Sequence, residues 1–215
     1  MDKVNNIPIV LHTMDSYNAY WDTWFELFQK HVKNYGTIYV LTEDKEPNFS
    51  NEDGVVHIKT GAGEWGARLL NGLSQIDSDL IFYMQEDFWA IKDIELEGNF
   101  LELFKNYKMD CLRICANSEL ISLSHITNDL YKYNRHSPFS ISHQFSLWNK
   151  EYFMSNVNSN ESPWENEIYG SNRINENNHN IYHIDNYWYE SVCMQGELQQ
   201  IGHDILKNNN LTILK

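Results

Sequence analysis

Glu86 and Asp87 stand side by side just past a short apolar run, Asp79-Leu80-Ile81-Phe82-Tyr83-Met84, with Gln85 between the run and the acids. Such a run reads as a buried strand of a sheet covered on both faces. Ligands of open α/β sheets bind beyond the carboxyl ends of the strands. A buried carboxylate needs a cation or water beside it. An acidic strand end therefore suits a divalent metal carrying phosphate, since hard cations take oxygen ligands. It equally suits a strand that exits into solvent on acidic residues.

A second acidic pair follows Ser162-Pro163-Trp164-Glu165, a strong helix start with Ser at the cap, Pro at the first position and Glu at the third. Glu165 has a structural role in that capping box. Glu167 has none, so it is the freer candidate for a general base, with Trp164 and Tyr169 to supply a partly apolar setting. The bland alternative is that both acids favour the positive end of a helix. Thr13 and Asp15 lie just past the first strand, where side chains contact a base or ribose, or cap a loop. Trp65 and Arg68 lie in the first turns of a helix, where an anion is favoured. Arg68 suits a phosphate oxygen there, or a surface salt bridge. His143 and Gln144 interrupt an apolar alternation and need polar partners. His183 and His203 are metal ligands only if the fold brings them to Asp87.

The 215 residues suffice for one well-packed domain. The net charge of -14 and the lack of a basic cluster exclude nucleic acid and anionic membrane surfaces as expected partners. An acidic chain that handles a phosphorylated ligand needs a metal or a few placed cations. Aromatic content is high at 14%, and such residues fill cores or line sites for sugar-like ligands. Cys111, Cys115 and Cys193 form neither a disulfide framework nor a zinc pattern. A reducing, cytoplasmic setting is expected. Met1 to Asn6 carries no signal-peptide profile, and no apolar run approaches the ~20 residues of a membrane span.

The periodicity predicts a strand over Ile7 to His12. A helix capped by Ser16 follows, with Tyr17, Tyr20, Trp21, Trp24, Phe28 and Val32 on one face and Gly36 at its end. Strands over Thr37 to Thr42 and Val55 to Lys59 flank a polar loop. Gly61-Ala62-Gly63 turns into a helix over Glu64 to Ile76. That turn lacks the Lys of a phosphate loop, so no ATPase is expected. A helix around Phe100 to Tyr107 follows the acidic strand. Strand and helix alternate to this point, which predicts a layered α/β sheet. Beyond it come a strand over Cys111 to Ala116, an irregular stretch over 117–138, and a half-buried strand over Phe139 to Trp148. A short helix over Asn149 to Val157, the Ser-Pro-Trp helix, a polar loop over Arg173 to Asn180 and a strand over Ile181 to Asp185 complete the reading.

The ordered set of Thr13 and Asp15 after the first strand, Leu41-Thr42-Glu43 after the second, the Trp65 helix, Gln85-Glu86-Asp87, and the Trp-Glu-x-Glu helix start resembles the GT-A class of nucleotide-sugar glycosyltransferases, in particular small bacterial and viral ones. Residues 5–170 match best. The resemblance implies a single α/β domain with a Rossmann-like, mostly parallel sheet and helices on both faces. Residues 1–110 would form a nucleotide-binding half and 111–215 an acceptor-binding half. It implies a nucleotide-diphosphate sugar donor, a glycan acceptor, and Mn2+ or Mg2+ on the diphosphate. The family's acidic signature reads Asp-x-Asp. Asp87 matches its final, metal-binding acid, Glu86 its middle position, and Gln85 replaces the first acid. Glu167, with Glu165 second, matches the carboxylate that activates the acceptor in inverting members. Thr13, Asp15, Thr42, Trp65 and Arg68 match nucleotide-binding regions. His143, Gln144 and Trp164 lie where donor sugar and acceptor meet, and Trp89, Trp148 and Trp164 are candidates to stack on sugar faces. Polysaccharide biosynthesis is the expected setting. The competing expectations are a nucleotidyltransferase acting on sugar phosphates, which would need a Gly-rich basic loop that His12-Thr13-Met14-Asp15 lacks, and a non-catalytic carbohydrate binder.

Overall fold

The computed structural model describes residues 7–96, 98–116, 122–194 and 196–213. Met1 to Asn6 and residues 117–121 of the stretch expected to be irregular lie outside them. Nine strands build one sheet. They are β1 (Ile9–His12), β2 (Ile38–Thr42), β3 (Val55–Lys59), β4 (Leu80–Met84), β5 (Cys111–Cys115), β6 (Leu123–Thr127), β7 (Leu130–Tyr133), β8 (Ser146–Asn149) and β9 (Ile181–Asp185). Their spatial order is β3-β2-β1-β4-β8-β5-β9-β7-β6. Only β7 and β8 run against the others. The expected α/β sheet, mostly parallel, is what forms, and both halves of the chain share it.

Alternation along the central strands sends side chains to two apolar layers. Ile9, Leu11, Phe82 and Met84 face one layer; Val10, Ile81 and Tyr83 face the other. The first layer is closed by α1 (Asn18–His31), through Trp21, Trp24, Leu27 and Phe28, and by α3 (Asn99–Asn106), through Phe100 and Phe104. The second is closed by α2 (Trp65–Ser74), through Trp65, Leu69 and Leu73, and by α4 (Lys150–Ser155), through Phe153. Helices thus cover both faces, and the central strands are buried runs rather than polar-apolar alternations.

Several boundaries differ from the sequence expectation, each for a local reason. A 3-10 turn, Asp15–Tyr17, precedes α1, so Tyr17 rather than Ser16 holds the cap position. The helix ends at His31, because Val32 goes extended to pair with Ile94, and Asn34 takes the left-handed turn at φ 56. The 117–138 stretch contains the β6–β7 hairpin, whose first strand is mostly exposed and so carries no apolar alternation. Of the expected Phe139 to Trp148 strand only the part from Ser146 on is strand, and it runs on to Asn149, the N-cap of α4; Phe139 sits at φ 53, outside extended backbone. The Arg173 to Asn180 loop begins as helix, α6 (Ser171–Glu176), the last segment of a run that also holds α5 (Pro163–Glu165).

The entry to α2 presses on the chain ahead of α5. A Cβ on Gly66 would lie 2.0 Å from the Asn158 carbonyl oxygen, and the Gly66 N–H donates to the Glu161 carbonyl at 3.0 Å. Both neighbours are backbone and cannot swing aside. Gly66→Ala is therefore expected to destabilise the fold on the order of 3 kcal/mol, read as a lower urea midpoint with an unchanged slope. A wild-type midpoint would contradict this packing.

Candidate active site

A cleft of about 330 Å3 opens at the carboxyl ends of β1 and β4. His12 and Thr13 enter it from β1, and Gln85, Glu86 and Asp87 from β4. His143 and Gln144 enter from the turn ahead of β8, which runs the other way and so begins at the same sheet edge. Trp65 comes from the first turn of α2, and Trp164 and Glu167 from the helical run after Ser162. Ser191, Cys193 and Met194 form a further wall. Of the side chains singled out in the sequence, Thr13, Trp65, Glu86, Asp87, His143, Gln144, Trp164 and Glu167 come together here.

The acidic strand end is largely buried. Glu86 is only 6% exposed, and Asp87 Oδ1 is buried with no hydrogen-bond partner among the described residues. Burial pushes the Glu86 carboxyl up to about 8, and the neighbouring Asp87 charge adds to the rise. Burial likewise pushes Asp87 up, to about 7, and the Glu167 charge adds to it. The segment is held by its backbone. Trp89 Nε1 donates to the Glu86 carbonyl at 3.1 Å, and Val192 N–H donates to the Asp87 carbonyl at 2.8 Å. The unpartnered Asp87 oxygen beside a second carboxylate suits a hard cation. Among the described residues no group of three or more His, Cys, Asp or Glu could hold a metal by itself. The protein would thus offer one or two oxygens and leave the rest to phosphate and water, the usual arrangement for Mg2+.

Glu167 lies in a π-helical turn, Asn166–Gly170, between α5 and α6. Its Oε1 accepts the His143 backbone N–H at 2.9 Å. Such turns occur often at functional sites, and here the cause is visible. Asn166, fully buried, donates through Nδ2 to the Asn156 carbonyl (2.9 Å) and to Glu161 Oε2 (2.8 Å). Arg173 clamps Glu161 with two bonds, Nη1 to Oε1 at 2.7 Å and Nη2 to Oε2 at 2.8 Å. This lock was not legible in the sequence, because Arg173 reads there as loop.

Other candidates sit elsewhere or have other work. Glu165 Oε2 accepts from the Ser162 N–H (2.9 Å) and hydroxyl (2.8 Å), completing the expected capping box. The Asp15 carboxylate accepts the N–H groups of Glu43, Asp44 and Lys45 at 3.2, 3.1 and 3.0 Å, tying the loops after β1 and β2 together. Thr42 is fully buried and donates to the Lys45 carbonyl at 2.8 Å. Arg68 is buried behind Thr13, whose carbonyl accepts from Nη1 at 3.0 Å. Glu165, Asp15, Thr42 and Arg68 do not line the cleft. Trp89 and Trp148 are fully buried in the core, so neither can stack on a sugar; Trp164, 69% exposed, remains available. His183 is fully buried against Cys115 on β5, His203 is exposed on α7 (Gln200–Asn209), and neither lines the cleft. His12 was missed as a candidate, although a polar residue closing an apolar strand was signal enough. The Ser191–Met194 wall had no signal, since only pairing of Tyr189–Ser191 with Phe88–Ala90 brings it in.

No family model and no curated protein matches this chain. Solved structures do resemble it. A UDP-glucose pyrophosphorylase complexed with UDP-glucose matches at TM-score 0.56 and 9% identity, over 95% of this chain and 98% of that one. HddC from Yersinia pseudotuberculosis matches at 0.60 and 8%, over 94% and 99%. S. aureus TarS matches at 0.60 and 11%, over 86% of this chain but 36% of TarS; a TarS 1-349 structure is a complex with UDP-GlcNAc, at TM-score 0.56 and 10% identity, covering 89% of this chain and 60% of that one. At these identities the likeness establishes the fold, a GT-A-like α/β sheet, and not the chemistry.

Two measurements check the site. Glu86 and Asp87 hold protons more tightly folded than unfolded, so the folded state binds more protons between the ordinary carboxylate range and about pH 7 to 8. Their contribution to stability is therefore full at acid pH and falls as pH rises through that window. Glu86→Gln should flatten this part of the Tm profile and raise Tm at pH 8; a steeper profile would contradict the burial. Arg173→Met leaves the Glu161 carboxylate without its half-buried cation and should cost about 1 to 2 kcal/mol, seen in chemical denaturation; an unchanged denaturation midpoint would contradict the lock.

Proposed function

We propose that this protein transfers a sugar from a nucleoside-diphosphate donor to a hydroxyl acceptor, with inversion, and that Glu167 is the general base. The carrying observation is the convergence of Glu86, Asp87 and Glu167 on one cleft whose described lining includes no Lys or Arg. A diphosphate entering three carboxylates needs a cation from outside the protein. Asp87, with Glu86, would hold Mn2+ or Mg2+. That ion would act as a Lewis acid, offsetting the charge of the departing diphosphate by several kcal/mol.

The chain's own residues supply the rest. The His143 N–H fixes one Glu167 oxygen and leaves the other to accept a proton from an acceptor hydroxyl. Trp164, exposed at the cleft edge, offers a flat apolar face for a glycan acceptor. The absence of basic lining favours sugar transfer over nucleotidyl transfer, which must grip a triphosphate.

Thermal-shift screens of UDP, GDP, CMP and dTDP sugars, each with and without Mn2+, should identify a donor that raises Tm only with the ion. With that donor, Glu167→Gln should lower kcat about 100- to 10,000-fold at little change in donor affinity. Asp87→Ala should abolish the Mn2+ dependence of binding. Full transfer activity in both variants would remove the mechanism.

A further inference from the structure

We propose that the floor of the cleft, formed by His12, Trp65 and His143, is the subsite for the transferred sugar and selects an uncharged, hydroxyl-bearing ring over an acidic one. This rests on the sugar-transfer reading and specifies its substrate class. His12 is 1% exposed, and neither of its ring nitrogens has a hydrogen-bond partner among the described residues. Trp65 Nε1 is buried and equally unpartnered, as is the Tyr83 hydroxyl close to His12. The rings adjoin one another, with centroids 5.5 Å apart for His12 and Trp65 and 4.4 Å for Trp65 and His143. Buried polar atoms left without partners are uncommon, and two of these residues, His12 and Trp65, line the cleft, which suits a ligand that donates and accepts hydrogen bonds.

The charge of that ligand follows from its surroundings. Burial, with the Arg68 charge behind it, pushes the His12 imidazole well below its ordinary range. Burial pushes His143 down to about 3. Both rings are neutral at physiological pH and offer donors and acceptors but no positive charge. Glu86, Asp87 and Glu167 line the same cleft, and no Lys or Arg among the described residues does. With the metal's charge matched by the diphosphate, a sugar carboxylate at this floor would face Glu167 and neutral rings, with no Lys or Arg in the described lining to pair with it. A neutral nucleobase shares the favoured chemistry, but the position points to the sugar. The His143 backbone holds the Glu167 carboxylate at 2.9 Å, so this floor adjoins the group that would activate the acceptor. The bond that breaks belongs to the sugar, which must lie next to that group.

Calorimetry in Mn2+ with UDP, UDP-glucose and UDP-glucuronic acid, and with GDP, GDP-mannose and GDP-mannuronic acid, tests this on the wild type, His12→Phe and Trp65→Phe. The uronic ligand should bind at least tenfold more weakly than its neutral counterpart. Each variant should lose about tenfold in affinity for the neutral sugar nucleotide, yet keep wild-type affinity for the free nucleoside diphosphate. Trp65→Phe removes only the indole N–H donor and part of the ring, so it carries the test if His12→Phe lowers Tm. Equal or tighter binding of the uronic ligand overturns the proposal. So does a parallel loss for the free diphosphate, which would assign the floor to the base. Failure of both nucleoside diphosphates to bind the wild type, alone or as sugar esters, removes the proposal, and the sugar-transfer reading with it for these two bases.

Discussion

A buried glutamate, Glu86, and a half-buried aspartate, Asp87, close β4 in the middle of the sheet, and the cleft is built around them. A dry carboxylate without a partner is strongly disfavoured as an anion. The fold keeps Glu86 and Asp87 in place through carbonyls bonded to Trp89 and Val192 and through the Thr13 side chain bonded to the Glu86 carboxyl, with no Lys or Arg in the described lining of the cleft. The buried Arg68 relieves Glu86 only partly: its charge opposes the rise in pKa without cancelling it. Such carboxyls hold their protons up to about pH 7 to 8 and would release them to an entering positive charge. In the proposed reading a metal and a diphosphate would enter together, each offsetting the charge of the other.

The same constraint ranks the rival readings. A nucleotidyltransferase can share this fold, and the UDP-glucose pyrophosphorylase likeness establishes that much. Its triphosphate would bring more negative charge to a cleft with three acids and no described basic lining. A pure glycan binder would need neither the buried acids nor a carboxylate presented from a π turn. Gln85 in place of the first acid of the expected triplet removes one potential ligand. The buried Glu86 beside Asp87 leaves two oxygen donors, enough for a cation that keeps water and phosphate in its remaining positions.

Much of the first half was legible because its patterns are strong. Burial on both faces gives β1, β2 and β4 unbroken apolar runs, and α2 repeats Trp65, Leu69 and Leu73 at helical spacing. The Ser162 to Glu165 capping box could be read directly, because its residues bond within one turn. What escaped detection is polar in sequence yet buried in space. Arg173 and Asn175 look like loop residues, but Arg173 clamps Glu161, and Asn175 Nδ2 donates to the Ser137 carbonyl at 3.0 Å. Hydrophobic periodicity cannot register a helix whose inner face is satisfied by hydrogen bonds. Asp15, Thr42 and Arg68 were expected at the ligand, whereas the Asp15 carboxylate, the Thr42 hydroxyl and Arg68 Nη1 bond to the loops around them.

That last reassignment bears on how the site works. Asp15 ties the loop after β2 to the loop after β1, and Arg68 ties α2 to the Thr13 carbonyl. Thr13 in turn accepts from Trp21 of α1 at 2.8 Å. The strand end that carries His12 into the cleft is therefore braced from both faces of the sheet. On the opposite wall, the Asn166, Glu161 and Arg173 lock fixes the turn that carries Glu167. Proton transfer and displacement depend steeply on the separation of reacting atoms. In the proposed reaction, bracing on both walls would let the fold, rather than the entering ligand, set that separation.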